Sequence, residues 1–91
     1  MSERPPKPSD AGDDWVFCKR SLHWGPPPEA VPYGGALGEE IRANVCADSW
    51  QEWLQMEVMV INELRLNFMD PTAQDTLIEH MREFLALDAD V

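Results

Sequence analysis

Between Ser49 and Asp70 the chain reads SWQEWLQMEVMVINELRLNFMD, and its apolar residues recur at helical spacing. At about 100° per residue, Trp50, Trp53, Leu54, Val60, Ile61, Leu64 and Phe68 gather on one broad face. Met59 and Leu66 fall roughly opposite, with Val58 and Met69 between the two sides. A helix apolar on more than one side is packed from several directions. The spacing therefore predicts a central helix that ends at Asp70, because Pro71 follows. The predicted core is Trp50, Trp53, Ile61, Leu64 and Phe68. Glu57 falls inside the stripe, where an ionised carboxylate is costly unless paired or left at an exposed edge.

The rest of the chain supplies the cover. Leu37, Ile41 and Val45 stripe a first helix over about 36–45, preceded by the Gly34-Gly35 break. Asp48 with Gln51, or Ser49 with Glu52, would cap the long helix. Asp70-Pro71 is a start signal for a third helix, an acceptor followed by proline in the first turn. Leu77, Ile78, Met81, Phe84 and Leu85 give that helix its buried side. Upstream, Trp15 to Lys19 reads as a short strand, and Ala30 to Tyr33 as its antiparallel return, held to an edge position by Pro32. The expected architecture is α+β: a small single domain with an N-terminal two-stranded hairpin packed on three helices, the second central. Residues 1–14 are rich in proline and charge and read as a disordered tail. The domain then spans 15–87, and 88–91 should fray.

Ninety-one residues bury only about 60–65% of the unfolded surface, so each large apolar side chain matters. A tryptophan can bury roughly 150–250 Å², on the order of 4–6 kcal/mol before entropy is subtracted.

The net charge is −10, from 17 acids against 7 bases. Residues 39–91 hold 12 of the acids and 3 of the bases, so the acidity belongs to the helical part. This argues against nucleic acid as a partner, because phosphate binding needs a cationic surface. It suits a cation or a basic protein, and it also serves plain solubility. No stretch approaches a membrane span, and the amino terminus lacks the apolar core of a secretion signal. Cys18 and Cys46 form no CxxC pair, and the simplest expectation is a cytoplasmic chain with two reduced thiols.

The order Trp50-x-x-Trp53, Met59-x-Ile61-Asn62-Glu63, Leu66-Asn67 and Met69 resembles the signature of the bacterial Fe(II)-trafficking proteins, also called oxidative damage protection proteins. The likeness extends through Val16-Phe17-Cys18, Tyr33, Gly35, Leu37-Gly38, Met81, Phe84 and Leu85, and covers about Trp15 to Leu85. It implies the same α+β fold. It also implies a non-enzymatic protein that handles Fe(II), protects iron–sulfur enzymes from oxidation and meets those enzymes or their assembly and repair proteins. Three departures stand out: the amino-terminal extension, a short run after the third helix, and Glu39-Glu40 in place of basic residues.

By that resemblance Cys18 matches the family's amino-terminal cysteine, the redox-responsive or iron-proximal thiol. A thiolate is both nucleophile and soft ligand; the same residue also suits a small apolar filler on a strand. Cys46 reads as structural. Asn62 and Asn67 are poor helix formers, which suggests that their side chains make specific bonds, a buried tie to the hairpin backbone being the plainest. Glu63 is open between partner contact and Fe(II) ligand, so Asn62, Glu63 and Asn67 are the candidate binding residues. Cys18 and Glu63 are the weak metal candidates. Glu79, His80 and Glu83 share a helix face but lack matching ligands elsewhere, and read as solvated.

No three donors show ligand spacing, so weak, labile Fe(II) binding on carboxylates is the version compatible with the chain, acting as a monomer. The alternative is an acidic, tryptophan-rich interaction adaptor without specific iron binding. A thiol-dependent antioxidant enzyme comes third and would need Cys18 activated by a nearby cation, with Lys19 and Arg20 as weak support.

Overall fold

The computed structural model describes residues 4–89. It contains strands β1 (Val16–Phe17) and β2 (Trp24–Gly25), followed by helices α1 (Gly35–Asn44), α2 (Ala47–Leu64) and α3 (Pro71–Phe84). The fold is a small α+β domain: an antiparallel hairpin against three helices, with α2 at the centre. Val16 pairs with Gly25 and Phe17 with Trp24.

The return strand lies nearer than the sequence suggested. The chain turns tightly after Cys18, whose carbonyl accepts from the Leu22 N–H at 2.8 Å, and Leu22 takes a left-handed conformation, φ 60°. Trp24–Gly25 then pairs with β1, and Pro26 to Pro28, which have no N–H groups to offer a ladder, fall outside it. Ala30 to Tyr33 forms no strand; it sends Val31 into the core and lays Tyr33 partly buried against it.

α1 buries Ile41 and its following residue Val45, as the spacing by four requires. Gly38 meets the carbonyl of Tyr33 so closely that any side chain there would collide with the backbone. α3 begins as its Asp-Pro start indicates: the Asp70 carboxylate accepts from the Thr72 N–H at 2.9 Å and Pro71 occupies the first turn. It buries Ala73, Leu77 and Met81.

α2 is shorter than its periodicity suggested and ends at Leu64, not at Asp70. Arg65 turns left-handed, φ 50°, while its N–H returns to the Asn62 carbonyl and that of Leu66 to the Ile61 carbonyl. This pair of bonds folds Leu66 back onto the core and satisfies carbonyls that the helix end would leave open. Asn67 then caps the link, its side chain accepting from the Met69 N–H at 3.0 Å. The consequence reverses part of the expected core. Trp50 and Trp53 are buried, at 3% and 0% exposure, and Ile61 packs partly buried against them. Leu64 and Phe68 instead stand half exposed, at 47% and 51%: Leu64 sits on the last, open turn of α2, and Phe68 lies beyond the point where the helix that would have carried it inward has stopped. Of the two residues expected opposite, Met59 is exposed while Leu66 packs against the core, and Val58 and Met69 between the faces are exposed.

α3 ends in the same way. Ala86 is left-handed at φ 56°, its N–H bonds the Glu83 carbonyl, and the Leu87 N–H bonds that of Arg82, which drives Leu87 into the core at 2% exposure. Arg82 grips Glu40 of α1 through two bonds of 2.6 and 3.0 Å and Asp88 through 2.6 and 3.3 Å. Asp88 is thus held rather than frayed; Asp90 and Val91 lie outside the described residues. Residues 4–14 form no helix or strand but lie along the hairpin. The Trp24 indole donates to the Pro5 carbonyl at 2.8 Å, Arg4 sits 5.2 Å from the Phe17 ring and Lys7 5.8 Å from that of Trp24.

Two stability measurements test this packing. Trp53→Ala should cost about 3–5 kcal/mol in a urea melt, since it empties the centre of the core; a loss below about 1 kcal/mol would refute the assignment. Ala86→Gly should raise stability by about 0.5–1 kcal/mol, because glycine relieves the left-handed backbone at a position where a side chain costs about 1–2 kcal/mol. A drop on that substitution would mean the turn is not built as described.

Candidate functional site

The hairpin and α2 meet at a buried junction fixed by backbone bonds. The Cys18 N–H donates to the His23 carbonyl at 2.9 Å, closing the hairpin. The next amide, Lys19, donates to the Asn44 carbonyl at the end of α1, and the Ala47 N–H donates to the Pro26 carbonyl beyond β2. These three bonds bring Cys18 to the first turn of α2.

Cys46 is the residue that precedes that turn, with extended backbone and no side-chain bond capping the helix. Neither expected capping box forms. Ser49 spends its hydroxyl elsewhere: its Oγ lies 3.2 Å from the Cys18 Sγ and 3.5 Å from the Cys46 Sγ. It is the one buried polar residue among those described, at 2% exposure. Ser21 Oγ stands 4.0 Å from the Cys46 sulfur. Gly25 of β2 permits this closeness, since a Cβ there would stand 3.1 Å from that of Cys46.

The electrostatics favour a thiolate at Cys18. Burial alone pushes its thiol up, but hydrogen bonds from the Ser21 and Ser49 hydroxyls and the backbone N–H groups of Cys46 and Ser21 outweigh it and bring the group down to about 7. The positive end of an 18-residue helix dipole adds in the same direction. Folding thus lowers this thiol from 9.0 to about 7. Its ionisation adds stability that is full above pH 9.0 and is lost as pH falls through about 7.

A cavity of about 430 Å³ opens onto the junction, lined by Ser21, His23, Cys46, Asp48, Ser49 and Glu52 and walled by Trp15 and Trp24. Cys18 lies behind Cys46, with no surface exposed. Arg20, outside the cavity's lining, is stacked 4.0 Å above the Phe84 ring and bonded to Glu52 at 2.7 Å.

The other sequence candidates lie elsewhere. Glu63 is exposed at the last turn of α2, so along the helix it stands on the order of 20 Å from the thiols at 1.5 Å per residue. Cys18 and Glu63 cannot share one ion. Asn62 and Asn67 are exposed as well, not buried ties to the hairpin; they serve the helix end and the link that follows it. Glu79, His80 and Glu83 are exposed on α3. Among the described residues no three His, Cys, Asp or Glu side chains gather to hold a metal ion.

The reading of the sequence missed Cys46, Ser49 and Ser21. One signal was present: Cys46 and Ser49 are three apart at a helix start, which places both side chains on the same turn.

The model of the bacterial Fe(2+) trafficking family matches residues 13–91. The chain belongs to that family. Similar members include the probable Fe(2+)-trafficking protein of Hahella chejuensis, 46% identical over 70 residues that cover 77% of this chain and 79% of that protein. Those of Acinetobacter baylyi and Cellvibrio japonicus are 40% identical over 76 residues, covering 84% of each chain, and 39% identical over 71, covering 78% of each. The family match leaves most of the amino-terminal segment outside it, while the thiol junction lies wholly within this Fe(2+)-trafficking domain.

Ser49→Ala should shift the titration of Cys18 upward, toward the ordinary cysteine value of about 8.5, because burial then meets one fewer hydrogen bond. Ultraviolet thiolate absorbance against pH in a Cys46→Ser background measures it. An unchanged midpoint would show that Ser49 does not support the thiolate.

Proposed function

We propose that this chain is a non-enzymatic cytoplasmic carrier of Fe(II) that protects iron–sulfur enzymes from oxidative damage. The observation that carries this reading is family membership across residues 13–91. The surface supports it. Twelve of the 17 acids lie in residues 39–91, so the helical half attracts divalent cations. Fe(II) takes oxygen ligands readily, and an ion held by one or two carboxylates keeps water on its remaining positions. Such an ion leaves as easily as it arrives, which suits delivery. Glu63, flanked by the exposed Asn62 and Asn67 at the end of α2, is the candidate contact, and Cys18 sits apart as a redox-responsive thiol. The protein acts as a monomer that meets iron–sulfur enzymes or their assembly and repair proteins.

One observation favours a second reading, an interaction adaptor. Met59, Leu64, Phe68 and Met69 are 53%, 47%, 51% and 89% exposed around the same end of α2, an apolar surface beside acidic residues. Iron affinity no better than that of an acidic control protein would favour it.

Anaerobic Fe(II) titration followed by NMR decides between them. Broadening should concentrate on carboxylate-bearing segments of α2 and α3, and Cys18→Ser should leave the affinity within a few-fold. A tenfold loss in that variant, about 1.4 kcal/mol, would move the ion to the thiol and overturn carboxylate binding.

A further inference from the structure

We propose that Cys18 and Cys46 are a redox pair that hydrogen peroxide converts to an intramolecular disulfide, joining the end of β1 to the start of α2. This goes beyond the iron reading and does not rest on it. The geometry carries the argument. Both sulfurs contact the same Ser49 oxygen, at 3.2 and 3.5 Å, and the Ser21 hydroxyl reaches both as well. The backbone N–H of Cys46 is also directed at the Cys18 sulfur. The two residues come from segments held in place by the Lys19–Asn44 and Ala47–Pro26 backbone bonds, so their encounter is built into the fold.

Access differs between the two. Cys46 lines the cavity, whereas Cys18 lies behind it without exposed surface. A small oxidant therefore meets Cys46 first. Its sulfur attacks hydrogen peroxide; the O–O bond breaks, an S–O bond forms, and one water leaves, giving a sulfenic acid. The Cys18 thiolate then attacks the Cys46 sulfur. The S–O bond breaks, the S–S bond forms, and hydroxide departs as a second water with the proton that Cys18 released on ionising. Two electrons pass from the sulfurs to the peroxide, and a small dithiol returns them. Hydrogen bonding that lowers the Cys18 thiol and so raises its thiolate fraction supports the second step. The Ser49 and Ser21 hydroxyls that contact the sulfurs move aside as the S–S bond forms.

Peroxide treatment of the full chain, followed by non-reducing tryptic mapping, tests the pair. Cleavage after Lys19, Arg42 and Arg65 puts the cysteines on separate peptides, with Cys46 on Ala43–Arg65. The expected result is loss of both free thiols together and one linked peptide pair from monomeric protein, reversed by dithiothreitol. Cys46→Ser should abolish the linked pair and leave Cys18 to oxidise alone. The proposal fails if wild-type protein gains oxygen on either cysteine while the peptides stay unlinked, or if the link joins two chains. Because the wild-type map decides the matter, poor folding of the variant would not shelter the idea.

Discussion

Trp53 is the piece on which the rest of the molecule closes. Its indole has no exposed surface and belongs to a buried cluster drawn from the whole chain: Ile41 from α1 and Val45 just after it, Leu77 and Met81 from α3, Leu85 and Leu87 from beyond it. Phe84 tilts against it with ring centres 5.8 Å apart. Its ring N–H finds no acceptor among the described residues, a cost of about 1–3 kcal/mol. Burial of roughly 150–250 Å² of aromatic surface outweighs that cost, which is why so small a domain tolerates it. The hairpin takes little part in this core. It attaches through α1, through the first turn of α2, and through Arg20, which bridges to Glu52 and Phe84. The thiols occupy the seam between the two parts.

Much of this arrangement was legible in the sequence. The tryptophan pair, the stripe of α1 and the Asp-Pro start of α3 each follow from one strong local preference. The errors share a cause: periodicity continued where backbone chemistry had stopped the helix. Nothing in Arg65 announces a left-handed residue, because glycine or asparagine takes that role by preference, and Phe68 was carried along as core; Leu64, the last residue of the helix, was counted in with it although the final turn stands open. The hairpin partner was missed for a related reason, since the left-handed Leu22 gives no signal of a tight turn.

The junction itself was half legible. Cys18 drew attention through resemblance, but a cysteine's surroundings come from contacts across the chain. Ser49 lies 31 residues from Cys18, and no local pattern links them. Charge behaves likewise. Glu40 looked like a departure from a basic surface, yet it is the partner of Arg82, which holds its carboxyl below the usual range. Glu57 is the counter-case. Its place within the apolar stripe leaves it partly buried, and burial pushes its carboxyl up, as the sequence position implied.

Lys19, at the end of the hairpin, donates from its Nζ to the Leu87 carbonyl at 2.9 Å, across 68 residues. The acceptor exists only after α3 and the turn beyond it have been synthesised, and the same turn delivers Leu85 and Leu87 to the indole. A chain that has made only α1 and α2 therefore has its tryptophan face open and its hairpin held on one side alone. Closure therefore waits for residues up to Leu87, and any fragment that stops short of them leaves apolar surface exposed to association.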